Sequence, residues 1–298
     1  MPAVRALVAV AIFSGFLSAF WSGCAHTQRS TAPKEAPRVM SSKTVVFVHG
    51  MFVTPTCWKA WEAHFQERGF RTLAPAWPEH ELPAATQRDQ HPNARLAALT
   101  LDDLLTHYRK ILATLDEKPI LVGHSMGGLI VQLLLQEGLG TVGVAIDSAP
   151  PKGVLSLKYS FLRSNWPAIN PFASAKKPIF LDEAAFRYAF VNTLPPDVQH
   201  QFWVDEVVPE SRRVGKGPTT KTAQIDFAHL RPPLLMIAGE HDHIIPASLN
   251  QKNAGLYQPP SVTDFKLFAG RDHFIIAEPG WQEVADFVLD WIGKQPTP

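Results

Sequence analysis

The sequence predicts an α/β fold: a doubly wound, mostly parallel sheet with a helical cap inserted into it. From residue 43 onward, short apolar runs alternate with longer amphipathic stretches, as in parallel sheets covered on both faces. One region, about 150–228, breaks this alternation and is rich in proline and aromatic residues. Its aromatic content indicates a packed cap over one edge of the sheet rather than a disordered loop.

The first 24 residues are predicted to form a separate targeting segment. Arg5 provides a positive start, and residues 6–20 are an apolar run without charge. This order is typical of a secretory signal. Cys24 follows small residues and resembles the lipidated cysteine of a bacterial lipobox, although Trp21 stands where that pattern has an aliphatic residue. We expect export and a lipid anchor on Cys24 in a bacterial membrane; secretion or an uncleaved N-terminal anchor are the alternatives.

Residues 25–42 are predicted to be a flexible linker, because they carry Pro, Ser, Thr and Lys with little hydrophobicity. The formal net charge of +1 gives no basic excess, so we expect no nucleic-acid partner. If Cys24 is lipidated, Cys57 has no disulfide partner, and we interpret it as a small buried residue.

The predicted domain, residues 43–293, is built from alternating strands and helices. Short β-branched apolar runs predict buried strands, and apolar residues spaced three and four apart predict helices. The strands are expected at 44–48, 119–122, 142–146, 234–238 and 265–268, and the helices at 58–68, 96–115, 129–136, 182–191, 196–206, after Pro246, and at 281–292.

The segment GHSMG at residues 123–127 lies between a predicted strand and a predicted helix. This is the G-x-S-x-G pattern of a nucleophile elbow, a turn too tight for side chains at its glycine positions. The turn raises the serine hydroxyl at the positive end of a helix. We therefore predict that Ser125 is a nucleophile.

A serine hydroxyl needs a base to accept its proton. Among the twelve histidines, His273 is the best candidate, because it follows the last predicted strand. Its loop would reach the C-terminal edge of the sheet, where ligands bind in open α/β folds.

Two acids could orient the base, each following a predicted strand. Asp242 is favoured over Asp147, because the chain turns at Asp242 and resumes as a helix after Pro246. Asp272 is adjacent to His273 and could compete, although adjacent side chains rarely face each other.

A metal site is not predicted. His241 and His243 flank Asp242, but no third ligand stands at a telling spacing.

The first predicted strand ends at His49-Gly50-Met51-Phe52, where glycine allows the backbone to turn an N–H into the site. The amides of Met51 and Met126 are predicted to form an oxyanion hole. We expect Phe52 and His124 to contact the substrate. Phe52, Trp58 and the aromatic cap indicate an apolar acyl or aryl group, or merely packing between cap and core.

Together these motifs resemble the α/β-hydrolase family over nearly all of residues 43–293. The matching segments are HG at 49–50, GHSMGG at 123–128, GEHDHIIP at 239–246 and GRDHF at 270–274. VVPESRRVGK at 207–216 is similar to an uncharacterised branch of capped hydrolases with VPESxR in this place, which implies no substrate.

The resemblance implies a Ser-His-Asp triad, an acyl-enzyme intermediate, a small-molecule ester substrate and no cofactor. Serine at the elbow argues against epoxide hydrolases and dehalogenases, which need a carboxylate there. Lactonase, amidase, perhydrolase and carbon–carbon hydrolase activities remain open. So does a ligand-binding receptor with little turnover.

Overall fold

The computed structural model describes residues 42–295, and its described residues form a six-stranded parallel sheet. The strands lie in the order β2-β1-β3-β4-β5-β6, and each neighbouring pair is parallel. The fold class is thereby confirmed. The strands are β1 (Thr44–Val48), β2 (Arg71–Leu73), β3 (Ile120–His124), β4 (Val142–Ile146), β5 (Leu234–Gly239) and β6 (Thr263–Phe268).

Helices flank the sheet. They are α1 (Lys59–Gln66), α2 (Ala84–Asp89), α3 (Ala94–Ala98), α4 (Leu101–Leu112), α5 (Met126–Gln136), α6 (Tyr159–Ile169), α7 (Glu183–Ala189), α8 (Pro196–Glu206), α9 (Arg212–Gly215), α10 (Ala247–Ala254) and α11 (Trp281–Ile292).

The four central strands are buried along their whole length. One row of paired residues runs across them, from Phe47 through Val122 and Val144 to Leu235. Burying a side chain of this size stabilises the fold by about 1.5–3 kcal/mol. Strands covered on both faces explain why the sequence shows continuous apolar runs here instead of alternation.

The predicted long helix over 96–115 is two helices, α3 and α4. Helix α3 ends at Ala98, and Thr100 caps α4, because its Oγ1 accepts a hydrogen bond from the Asp103 amide at 3.3 Å. The Asp103 carboxylate accepts one from the Thr100 amide at 2.9 Å. This reciprocal capping box requires extended backbone at Thr100 and so interrupts the helix. Strand β2, which was not predicted, is a three-residue edge strand and only partly buried.

Helices α6 to α9 lie between β4 and β5, in the region predicted to form a cap. The predicted helices near 182–191 and 196–206 correspond to α7 and α8. Helix α6 was not predicted, since Pro167 lies within it and breaks the helical signal. An antiparallel bridge between Ile179 and Glu210 joins two cap segments that are distant in sequence.

The predicted targeting segment, residues 1–24 with Cys24, lies outside the described residues, as does the linker up to residue 41. Ser42, the last linker residue, is buried, and its hydroxyl donates a hydrogen bond to Glu117 at 3.1 Å. None of the helices in residues 42–295 is both long and apolar enough to span a bilayer.

Candidate active site

Ser125 lies in a strained turn between β3 and α5. Its backbone has φ 57° and ψ −120°, a conformation that non-glycine residues adopt at a cost of about 1–3 kcal/mol. Close packing surrounds the turn: a Cβ atom added at Gly127 would lie 2.1 Å from the Val48 carbonyl oxygen. The sequence therefore needs glycine at 127, and the turn presents the serine side chain at the N-terminus of α5.

His273 and Asp242 form a buried pair. The His273 Nδ1–H donates a hydrogen bond to Asp242 Oδ2 at 2.7 Å. The other carboxylate oxygen accepts hydrogen bonds from the Ile244 and Ile245 amides at 2.7 and 2.8 Å. The turn after β5 thus fixes the carboxylate, and the carboxylate fixes the ring and its tautomer.

The second nitrogen of this imidazole makes no hydrogen bond within the described part of the chain. His273 Nε2 is buried and has no hydrogen-bond partner among the described residues, Ser125 Oγ included. With the proton held on Nδ1, Nε2 carries a lone pair and is an acceptor. Bonds of this kind are often long in unliganded sites and tighten when substrate binds.

Neither of the two rival acids makes a hydrogen bond to the His273 ring. One Asp147 oxygen accepts a hydrogen bond from the Gly239 amide at 2.8 Å. Burial, and next the charge of Asp242, raise the pKa of Asp147 well above its usual range. Asp272 accepts hydrogen bonds from the Thr193 amide and hydroxyl at 3.1 and 2.7 Å, and burial raises its pKa. Of the three acids, the structure brings Asp242 to the imidazole.

The loop after β1 approaches the nucleophile closely. A Cβ at Gly50 would lie 2.8 Å from Ser125 Cβ, so only glycine allows this approach. The Met51 amide makes no hydrogen bond within residues 42–295. The Met126 amide is the first of α5, and such amides have no acceptor within their own helix. The two predicted oxyanion donors therefore flank Ser125.

His49 controls the direction of the Met51 amide. The Trp77 amide donates to His49 Nε2 at 3.1 Å, so the ring proton is on Nδ1, which donates to the Gly50 carbonyl oxygen at 2.9 Å. In a trans peptide, the N–H points opposite to the carbonyl. By holding the Gly50 oxygen, His49 fixes the Met51 N–H. Burial, and next the positive charge of His80, lower the pKa of His49 and keep it neutral.

An apolar cavity opens above Ser125, and the centre of a water-sized sphere can occupy about 100 Å³ of it. No charged side chain lines it among the described residues. Its walls come from the loop after β1, the elbow, the acid loop and the cap: Met51, Phe52, Ser125, Met126, Ala149, Pro150, Val154, Leu155, Phe161, Ser164, Asn165, Pro167, Ala168, Ile169, Leu181, Phe190, Gly215, Pro218, Thr219, Ile244 and Ile245.

The two predicted substrate-binding residues have different positions. Phe52 lines the cavity. Its backbone has φ 67°, and its carbonyl accepts a hydrogen bond from the Val208 amide of the cap at 3.0 Å. His124 is fully buried and is not among the lining residues. Its Nε2 instead bonds to the His273 carbonyl, so the prediction that His124 contacts substrate does not agree with the structure.

The histidines beside Asp242 do not converge on a metal site. His243 Nδ1 bonds to the Tyr188 carbonyl at 2.8 Å, and His241 is exposed. His124, Asp147 and His273 place possible ligand atoms within 4.8 Å of one another. Each imidazole uses one nitrogen in a hydrogen bond, His124 Nε2 to the His273 carbonyl and His273 Nδ1 to Asp242. His124 Nδ1 and His273 Nε2 have no partner among the described residues.

Sequence reasoning missed two features of the site. The Ser164 hydroxyl on α6 is buried in the cavity wall without a hydrogen-bond partner in the described chain. Glu210, in the segment VPESR, lies 3.2 Å from His80, and both side chains are fully buried. The VPESxR pattern marked the position of Glu210, but no sequence signal linked it to His80.

Comparisons with known proteins agree with this fold. A family profile described as the alpha/beta hydrolase family matches residues 45–287. No curated protein matches the sequence.

Three solved structures illustrate the similarity. A monoacylglycerol lipase from Paleococcus ferrophilus is 20% identical, with a TM-score of 0.61 over 85% of this chain and 96% of that one. A pyrethroid hydrolase from Sphingobium faniae JZ-2 is 16% identical, with a TM-score of 0.62 over 84% and 97%. A methylesterase from Arabidopsis is 15% identical, with a TM-score of 0.58 over 85% and 99%.

Proposed function

Since this chain belongs to the α/β-hydrolase family, we propose that it is a serine esterase that cleaves a neutral, apolar carboxylic ester. The observation that carries this proposal is the hydrogen bond from His273 Nδ1 to Asp242, with the opposite ring nitrogen left free. An oriented base of this kind, near a serine on a strained elbow, is the arrangement that activates a hydroxyl.

In the proposed mechanism, Ser125 Oγ attacks the ester carbonyl carbon while His273 Nε2 accepts the hydroxyl proton. The carbonyl π bond opens, and the Met51 and Met126 amides stabilise the negative oxygen. The intermediate collapses and expels the alcohol, which takes the proton from His273. Water then attacks the acyl-enzyme with the same proton transfers and releases the carboxylic acid. Asp242 stabilises the imidazolium formed in each half-reaction.

The cavity supports the substrate class. Its wall has no charged group, so a substrate carboxylate or ammonium group would lose its hydration without a partner. An aliphatic or aromatic chain would instead bury apolar area. The Ser164 hydroxyl has no hydrogen-bond partner among the described residues and would bond a polar atom of the substrate distant from the scissile bond.

A fluorophosphonate probe tests the nucleophile. We expect the wild-type protein to be labelled, and Ser125→Ala and His273→Ala to lose labelling while remaining folded by circular dichroism. A folded wild-type protein that is not labelled would reject the activated serine and favour a ligand-binding role.

A substrate panel then tests the reaction. p-Nitrophenyl esters of increasing acyl length are compared with a lactone, an aryl amide and a peracid-forming assay. We expect ester turnover to dominate, and faster turnover of a lactone or amide would replace the ester assignment.

We further propose that the enzyme acts outside the cytoplasm, held by a lipid on Cys24. The support is the order of positive start, apolar run and cysteine in residues 1–24. Metabolic labelling with an alkyne fatty acid tests this. Wild type should be labelled and Cys24→Ala should not, and equal labelling of both would reject the anchor.

A further inference from the structure

One face of helix α6 lines the cavity, and another face of the same helix exposes apolar side chains. Phe161, Asn165 and Ala168, spaced four and three apart, line the cavity. Tyr159 and Trp166, with Leu162 between them, are spaced three and four apart and face solvent. Positions three and four apart share a helix face, so the second row is a separate stripe. Packing in the core does not account for apolar residues on this outer face.

The stripe belongs to a larger exposed patch. Six of the twelve large hydrophobic side chains that are exposed in residues 42–295 lie between residues 155 and 172. They include Leu157 at 88% and Phe172 at 93% exposure. Concentrated exposed apolar surface of this kind marks an interaction site. We call these six residues the α6 patch: Leu155, Leu157, Tyr159, Leu162, Trp166 and Phe172.

The charged residues of the segment that carries the α6 patch are all basic. Residues 148–181 contain no Asp or Glu, although the whole chain has almost equal numbers of acidic and basic residues. The same segment contains basic side chains that are exposed: Lys152, Lys158, Arg163, Lys176 and Lys177. Apolar side chains interleaved with cations are typical of a surface that binds the headgroup region of an anionic membrane.

The α6 patch is continuous with the proposed active site. Leu155 is 64% exposed and also lines the cavity above Ser125. Helix α6 therefore separates the cavity from the outer stripe by one helix diameter. An apolar molecule that leaves a bilayer at this patch would enter the cavity without crossing water.

We propose that the α6 patch docks on the surface of an anionic phospholipid bilayer and admits the apolar ester from it. The evidence for docking is the α6 patch and the exposed basic side chains of the same segment. Only the delivery of substrate rests on the proposed esterase function. The occupant is a membrane rather than a second copy of the chain, because the exposed basic side chains of this segment would repel those of a second copy across a symmetric interface.

Tryptophan fluorescence of the full-length protein tests docking. It is measured with vesicles of brominated phosphatidylcholine, with and without phosphatidylglycerol. Trp166→Phe serves as reference, because the difference from wild type isolates the emission of Trp166. We expect Trp166 to be quenched, more strongly with the anionic lipid. An N-terminal anchor alone would not bring Trp166 into contact with brominated chains, so equal quenching in both proteins overturns the proposal.

A kinetic comparison tests delivery. Leu157→Ser combined with Phe172→Ser removes two exposed side chains that do not line the cavity. Each loss should weaken membrane partitioning by roughly tenfold. We expect hydrolysis of a vesicle-borne ester to fall by roughly tenfold or more, and that of a soluble short-chain ester to be unchanged. The matched control, Leu230→Ser with Val262→Ser, removes exposed apolar residues elsewhere and should change neither rate.

The competing outcomes are distinguishable. If wild type sediments as a dimer, the double variant as a monomer, and vesicles do not quench Trp166, the patch is a self-association surface and the proposal is overturned. If Trp166 is quenched but the fluorophosphonate probe labels no serine, docking stands and the esterase function fails.

Discussion

The Nε2 atom of His124 lies 2.7 Å from the carbonyl oxygen of His273. The residue before the proposed nucleophile thus holds the backbone of the proposed base. Burial, and next the charge of His273, lower the pKa of His124, so its ring is neutral and donates from Nε2. Elbow and base loop, 149 residues apart in sequence, are joined by this bond inside the core.

His124→Phe removes this donor and keeps an aromatic ring in the core. The His273 carbonyl is left unsatisfied, and the loop that carries the base shifts. Because a displacement of about 1 Å costs on the order of 100-fold, we expect kcat to fall by ten- to 100-fold. KM should change little, since His124 does not line the cavity. Steady-state kinetics on a soluble ester measure the change in kcat and the change in KM separately. His124→Gln keeps an N–H donor and should restore part of kcat. A raised KM with unchanged kcat would indicate a substrate contact instead.

The assignment of the acid is tested by two substitutions of the same kind. Asp242→Asn should lower kcat by about 10⁴-fold, because an amide stabilises the wrong imidazole tautomer. Asp147→Asn should leave kcat within about threefold, because Asp242 and not Asp147 accepts the hydrogen bond from the His273 ring. Burial and the charge of Asp242 also raise the pKa of Asp147, which favours the neutral form that an amide resembles. A reversed order of the two effects would assign the acid to Asp147.

The buried pair of His80 and Glu210 makes the attachment of the cap depend on pH. Burial opposes the charge of His80, but the Glu210 carboxylate outweighs it and raises the pKa above the ordinary 6.5. A raised folded-state pKa stabilises the fold fully below pH 6.5 and loses this contribution as pH rises through the folded value.

His80→Gln should lower the free energy of unfolding by about 3 kcal/mol at acidic pH, because Glu210 is left as an uncompensated buried charge. The difference between variant and wild type should shrink as pH rises. Urea unfolding over a pH series measures it. His229→Gln, an exposed histidine, should give no such trend. A difference independent of pH would exclude the charged pair.

A substitution at Gly127 tests how closely the elbow is packed. Gly127→Ala would place a methyl group 2.1 Å from the Val48 carbonyl oxygen, in backbone that has no room to move. We expect a loss of more than about 4 kcal/mol, so that little folded protein is recovered. Gly255→Ala is the matched control, because its nearest atom would lie at 3.5 Å. Melting temperatures of the two variants make the comparison, and a folded, active Gly127→Ala protein would contradict the geometry.

Local patterns predicted the parts of the fold that depend on local causes. Buried strands appear as apolar runs, and helix α11 was predicted with the bounds observed, because its apolar spacing is regular. The elbow was visible because strand, glycines and helix are contiguous. Asp242 could be favoured over Asp147 because a turn and a helix follow it directly.

Contacts between distant segments could not be predicted in this way. The pair of His80 and Glu210 is separated by 130 residues, and neither residue has neighbours that indicate the other. The role of His124 also depends on the His273 backbone, which a pattern around residue 124 does not contain. Helix α6 was hidden by Pro167, which lies within it and breaks the helical pattern.

The cap leaves the sheet after β4 and returns at β5, so it occupies one uninterrupted stretch of chain. Ser125 precedes that stretch, and Asp242 and His273 follow it. Mutation or recombination within this stretch of the gene would change most of the cavity wall and the whole α6 patch at once. The three proposed catalytic residues are encoded outside it and would stay unchanged. The range of substrates and the place where the protein acts can therefore change together, through replacement of this one segment.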